Sequence, residues 1–244
     1  MTTDTAPDIT ELTLDSAAYP EKVKVLMGSK APASLFAVGN LRLLEKDAIG
    51  FCGSRKASDR GLETVRDCAF QAANAGVVVV SGNAAGVDFS AHYVALEAGG
   101  ETILVLPEGI NHFQVKRALR PVWDWERVLV LSQFRPDTPW RAFQAMSRNQ
   151  VIIALSGAMV VIEAGEKGGT ISAGLDTLKL NIPLYVAEYK DMNEVAVGNR
   201  TLIAKGGKSL RRSATTGKAN MSNVFQDVHQ KAGWSQSSSQ LGLF

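Results

Sequence analysis

The sequence predicts an α/β fold on a mainly parallel sheet. Three observations carry this. Short apolar runs alternate with helical patterns along most of the chain. The stretch Val77–Gly109 reads strand, loop, helix, strand, a connection too long for a hairpin and long enough for a parallel crossover. Several apolar runs end in Gly- and Ser-rich loops that open onto helices, as strand-to-helix turns of such units do.

Taken in order, residues 1–18 are polar and acidic and read as loosely ordered. Tyr19-Pro20 opens a short segment, Glu21–Leu26. Pro32 precedes an apolar strand, Ser34–Gly39, stopped by Gly39-Asn40. Leu41–Glu45 is a helical turn. Ala48–Cys52 is the first strong core strand and ends in Gly53-Ser54-Arg55. Asp59 is placed to cap a helix, Arg60–Ala75, whose Leu62, Val65, Ala69 and Ala72 fall at helical spacing. After the valine run and its crossover comes an irregular segment with Arg117, Arg120, Trp123 and Trp125, then a strand, Arg127–Leu131. Thr138-Pro139 reads as the start of a long helix ending at Leu155, before Ser156-Gly157. Phe143, Met146 and Ile153 suit its core face, while Arg141, Gln144 and Arg148 share another. Ala158–Ile162 is a strand, a glycine-rich loop leads into a helix ending near Leu180, and Leu184–Ala187 is a further strand. Gly198-Asn199 begins a short helical piece closed by Gly206-Gly207, and Val224–Lys231 has the pattern of one more helix.

Composition sets bounds. The 244 residues are 45% hydrophobic with a net charge of +2, an ordinary soluble balance. No apolar stretch approaches the ~20 residues of a membrane span, and the N-terminus lacks the basic and apolar regions of a secretory signal. A cytoplasmic protein without membrane association is expected. Cys52 and Cys68 read as two buried thiols. With no CxxC, paired His or HExxH, no metal or cofactor is expected. The charge is split: residues 200–231 carry seven Lys and Arg against one acid, a net of +6, and the rest of the chain carries −4. Such a segment suits either a polyanion or plain solvation.

Three loops could hold an anion: Gly53-Ser54-Arg55, the loop from Ser81-Gly82 to Gly86, and Gly168-Gly169-Thr170. In a parallel sheet they gather along one edge, where small residues let backbone N–H groups approach a phosphate. Three such loops in one domain favour anion binding over mere tightness of turns. Arg55 adds a bidentate donor. Asp88 and His92, four apart on one helix face, suit an acid–base pair or a brace for the preceding loop. No third group completes a triad, so the brace is preferred. Arg148-Asn149 and Lys167 suit either phosphate contact or ordinary surface charge. Phe134, Trp140 and Phe143 lie near basic residues and are candidates for base stacking or for the core.

These residues resemble the DprA/Smf family of DNA-processing proteins over Tyr19–Leu210. The resemblance rests on Tyr19-Pro20, Gly39-Asn40, Leu43-Leu44, Gly53-Ser54-Arg55 and, above all, Ser81-Gly82-x-Ala84-x-Gly86-Val87-Asp88-x-x-Ala91-His92-x-x-Ala95-Leu96. Arg148-Asn149, Val161-Ile162-Glu163-Ala164, Gly168 and Gly198-Asn199 continue it. It implies an extended Rossmann-like domain over 19–210, with helices on both faces of the sheet. It implies a non-catalytic, homodimeric protein that binds single-stranded DNA and helps load a RecA-type recombinase. The implied DNA pocket uses the positions of Arg55, Ser81, Gly82, Arg148 and Lys167. Ala145-Met146 depart from the family's Phe-Pro, and Asn111–Trp125 lacks its Tyr-Pro and Asn pattern.

The rival is a nucleotide-binding or nucleotide-hydrolysing enzyme or sensor. Lonely-guy phosphoribohydrolases use Pro-Gly-Gly-x-Gly-Thr-x-x-Glu. Here the corresponding loop runs from Glu163 to Thr170, and Ala173 stands at the catalytic Glu. Residues 211–239 read as a basic, Ser/Thr/Gln-rich tail with room for a short helix. Residues 240–244, with Gln240, Leu241, Leu243 and Phe244, look like the Gln-Leu-x-Leu-Phe peptide that docks bacterial replication proteins on the DNA polymerase sliding clamp.

Overall fold

The computed structural model describes residues 6–190 and 196–238, the last eight of these as backbone only. The described residues form one nine-stranded sheet, ordered β1-β2-β6-β5-β4-β3-β7-β8-β9. The strands are β1 (Thr10–Thr13), β2 (Ser34–Gly39), β3 (Ala48–Cys52), β4 (Val78–Ser81), β5 (Thr102–Leu106), β6 (Val128–Ser132), β7 (Ala158–Val161), β8 (Leu184–Ala187) and β9 (Lys208–Leu210). Only β1 with β2 and β2 with β6 pair antiparallel; the other six pairings are parallel.

The central strands are apolar on both faces because both faces are covered. Val78 and Val80 of β4 join the core formed with α1 (Glu21–Met27), α4 (Ala142–Leu155), α5 (Gly169–Lys179) and α6 (Val197–Ala204). Val79 joins the opposite core, formed with α2 (Asp59–Asn74), α3 (Val87–Glu97) and α7 (Ser222–Ser238). The α/β, Rossmann-like architecture of the sequence reading is therefore the one present. The Val77–Gly109 unit is a parallel crossover, with Val80 opposite Ile103.

Several local expectations are corrected. Residues 1–18 are not uniformly loose: Thr10–Thr13 extend the sheet, with Leu12 buried. The cap of α2 is Ser58, whose hydroxyl accepts from the Gly61 N–H, rather than Asp59. The long helix starts at Ala142, because Arg141 is still extended (φ −141°, ψ 146°) and Pro139 lies before it in irregular chain. Phe143 and Met146 are exposed, although Ile153 is buried. The segment after 211 is packed onto the domain: Met221, Val224 and Val228 enter the second core, and α7 continues to Ser238 through most of the Ser/Gln-rich run. Its charge is partly neutralised from elsewhere, by Arg211–Glu188 (2.7 Å) and Arg212–Glu63 (3.1 Å), while Lys208 pairs with Asp227 (2.6 Å) within the basic segment itself. Residues 240–244 lie outside the described residues. Among the described residues no helix is long and apolar enough to cross a membrane.

Candidate functional site

β3 and β7 are neighbours whose crossovers leave in opposite directions, β3 through α2 to β4 and β7 through α5 to β8. The crevice outside such a switch point is where α/β sheets bind ligands. A cavity of about 300 Å³ opens there. Its wall is built from Gly53 and Arg55 after β3, Gly82, Ala84 and Asp88 after β4, Arg148 and Asn149 on α4, and Gly169 and Thr170 at the start of α5.

The first two loops are locked by internal carboxylates. Glu163 is buried beneath α2; its oxygens accept from the Ser58 N–H (2.8 Å) and the Ser58 hydroxyl (2.5 Å). Asp88 Oδ2 accepts from the Ala84 N–H at 3.1 Å and so braces the loop after β4. Gly86, at φ +74°, brings that loop against the Ser54 and Arg55 carbonyls, where a Cβ would collide. Lys116 reinforces the loop by donating to the Asn83 and Ala84 carbonyls at 2.7 and 3.3 Å.

Beneath the loop, His92 is fully enclosed. Its Nε2 faces the Gly82 carbonyl at 2.7 Å, and its Nδ1 faces Thr102 Oγ1 at 2.6 Å. A carbonyl only accepts, so Nε2 carries the proton. Burial lowers the His92 pKa to about 4, against the opposing pull of the Gly82 carbonyl and Asp88. The ring is thus neutral near pH 7.

The third loop is set by Asn199. Its Oδ1 accepts from the Ala164 N–H, and its Nδ2 donates to the Ile162 and Ala187 carbonyls, each at 2.8 Å. Gly198 packs on the Gly165 carbonyl, where a side chain would not fit. The Gly198-Asn199 pair therefore fixes the path of the chain between β7 and α5.

Arg148 is the dominant charge in the wall. It is 6% exposed, its Nε has no hydrogen-bond partner, and it lies against Gly82 where a Cβ would strike Nη1. Burial lowers its pKa from the usual arginine value, while Asp88 and Glu108 oppose that shift. A buried, charged N–H without an acceptor is costly to leave unmade. Cys52 also lines the cavity; burial pushes its thiol up to about 12, so it is protonated near neutral pH.

Of the sequence candidates, Gly53, Arg55, Gly82, Arg148, Asn149 and Gly169 reach the cavity wall, as does the brace Asp88. Ser81 does not: it is buried, and its hydroxyl donates to the Phe51 carbonyl at 2.7 Å, joining β4 to β3. The Ser54 hydroxyl is outside the wall and accepts from the Lys56 N–H at 3.0 Å. Gly86 serves the loop contact, and Lys167 and Gly168 are exposed outside the wall. Met146 is part of the wall, and Trp140, Phe143 and Met146 are 54%, 64% and 51% exposed. The sequence reading missed Lys116 and Glu108, whose segment carries no periodicity or motif to single them out.

The chain is 28% identical over 204 residues to DNA processing protein DprA of Bacillus subtilis, a match covering 83% of this chain and 68% of that protein. It spans roughly half to two-thirds of the length of the curated relatives that it matches. Among solved structures, DNA processing protein A of Streptococcus pneumoniae superposes with a TM-score of 0.73 at 28% identity, over 83% of this chain and 71% of that one. DNA processing protein A of Helicobacter pylori, in work on its single-stranded DNA binding mode, gives 0.73 at 23% identity over 94% and 97% of the two chains, a likeness of fold. With the DNA recombination-mediator protein A model matching residues 10–219, the chain belongs to that family of DNA-processing proteins.

Proposed function

We propose that this chain binds single-stranded DNA at the β3–β7 switch point and acts in DNA processing and recombination without catalysis of its own. The observation that carries the reading is the cavity wall, which brings buried Arg148, Arg55 and Asn149 together with Gly169 and Thr170 at the start of α5. Arg55 adds an exposed charge to the wall, and exposed Lys167 extends the cationic path along the third loop. Such contacts hold successive phosphates and carry little sequence information. Trp140, Phe143 and Met146 supply an apolar ledge for unpaired bases, in place of the aromatic side chain absent at Ala145. The H. pylori relative studied for single-stranded DNA binding supports the choice of ligand.

Three features favour a binding protein over an enzyme. His92 and Asp88 are committed to loop geometry, Cys52 is protonated, and Ala173 is buried at the position where the rival phosphoribohydrolases carry Glu. Recombinase loading, dimerisation and tethering to the sliding clamp complete the proposal.

The test titrates labelled oligo(dT) and dTMP into the protein across a salt series. Tight, salt-sensitive binding of oligo(dT) and weak binding of dTMP are expected, and Arg55→Ala/Lys167→Ala should weaken binding for all sequences alike. A preference for the mononucleotide would establish the nucleotide-sensor reading instead.

A further inference from the structure

We propose that Glu108 restrains the grip of the cavity on the strand. Its carboxylate competes with the phosphates for Arg148 and Lys116, so binding tightens when Glu108 is neutralised. This role rests on the single-strand reading above and adds to it a residue that limits affinity.

The backbone at Glu108 is fixed. The residue lies two positions after β5, at the edge of the sheet where the loops after β3 and β4 also end. Its carbonyl accepts from the Ser132 hydroxyl at 2.6 Å, and the Gly109 N–H donates to the Thr138 carbonyl at 2.8 Å. At Gly109 a Cβ would collide with the Arg135 and Pro136 carbonyls, so the loops after β5 and β6 pack backbone to backbone.

The carboxylate, by contrast, has no partner. Oε2 is enclosed and accepts no hydrogen bond, and among the described residues Glu108 forms no ion pair. An enclosed acceptor without a donor is costly to keep. Because Oε2 is enclosed it cannot read a base; it acts on the cavity through its charge. The charged and titratable groups that face it are Arg148 from α4, and His112 and Lys116 from the segment after β5. Arg148 lies against Gly82, and Lys116 is bonded to the Asn83 and Ala84 carbonyls. Both cations therefore sit on the loop after β4, the strand paired with β5. Asp88 acts on the same two cations. Two carboxylates thus stand against two cations, and together they offer a polyanion no net attraction. Asp88 is committed to the Ala84 N–H, whereas the Glu108 carboxylate makes no bond that shapes the loop. What it contributes is its charge.

A pH dependence follows. Burial raises the Glu108 pKa, while Arg148, His112 and Lys116 oppose that shift. An arriving phosphate raises it further, so binding takes up a proton and tightens as pH falls toward the carboxylate range.

The test titrates labelled oligo(dT) at low salt into wild-type protein, Glu108→Gln and Glu45→Gln. Glu45 is exposed at the opposite edge of the sheet, before β3, so its substitution makes the same change in net charge away from the cavity. Glu108→Gln should bind about fivefold more tightly than wild type, an advantage that shrinks as salt is raised, and Glu45→Gln should bind as wild type does. Between pH 7.5 and 5.5 the wild-type protein should gain affinity; His112→Gln should keep that gain and Glu108→Gln should lose most of it. Wild-type or weaker affinity in Glu108→Gln, or equal tightening in both glutamine variants, overturns the competitor. So does a pH response that disappears in His112→Gln and persists in Glu108→Gln. Should Glu108→Gln fail to fold, the pH responses of wild type and His112→Gln decide alone. Failure of wild-type protein to bind oligo(dT) at any of these pH values would instead overturn the single-strand reading itself.

Discussion

The Nε2–H of His92 supports the Gly82 carbonyl from beneath at 2.7 Å, and the same Gly82 is the point at which Arg148 lies against the loop after β4. A buried imidazole thus sets the height of the backbone on which the principal cation rests.

This relationship has a pH signature. Burial lowers the folded His92 pKa to about 4, from an ordinary value near 6.5. The unfolded chain therefore takes up the proton first. Stability is fully present above the unfolded value and is lost as pH falls toward the folded one, by roughly 3 kcal/mol across that window. Urea denaturation at pH 7, 5.5 and 4.5 checks this. His92→Gln, which cannot titrate, should show a flatter pH dependence over the same range, whatever its stability at pH 7.

Asn199 makes a second prediction, about the third loop. Asn199→Ala leaves the Ala164 N–H and the Ile162 and Ala187 carbonyls without their partner in a fully buried place. A loss on the order of 3 kcal/mol follows. Chemical denaturation measures it. An unchanged midpoint would show that the Gly198-Asn199 pair does not hold the entry to α5.

Much of this architecture is legible in the sequence, for physical reasons that also explain the gaps. β3, β5 and β8 are readable because burial on both faces demands uninterrupted apolar residues. β1 and β9 are not, because Thr10–Thr13 and Lys208–Leu210 are edge strands with a single buried apolar residue each, Leu12 and Leu210. Gly53, Gly82 and Gly86 stand out as loop glycines, yet their spacing cannot tell a phosphate seat from a close approach of two backbones. That distinction depends on where Glu163 and Asp88 send their carboxylates. The Phe143 and Met146 pair looks like core because helical spacing records a face and not what covers it. Here the N-terminal half of α4 borders the cavity, and its buried apolar residues are confined to Val151–Leu155.

That uncovered half of α4 yields a third prediction. Phe143 is 64% exposed and Trp140 54%, so truncating either removes little packing. If bases stack on them, each substitution costs ~1–3 kcal/mol of binding free energy. Phe143→Ala and Trp140→Ala should therefore keep the wild-type melting temperature and bind oligo(dT) about tenfold more weakly. Loss of stability without loss of affinity would assign these side chains to packing instead.

The last prediction concerns residues 240–244, which follow α7 after a single residue. Leu243 and Phe244 are apolar groups suited to fill a pocket, with Gln240 to set their orientation. A peptide of residues 235–244 should be retained on an immobilised bacterial sliding clamp, and Leu243→Ala/Phe244→Ala should abolish retention. In the whole protein the same double change should leave oligo(dT) binding at its wild-type level, because among the described residues the cavity at the β3–β7 switch point is lined by positions between Phe51 and Thr170. Equal retention of the two peptides sinks the clamp reading, and equal loss of DNA binding would place the tail at the cavity.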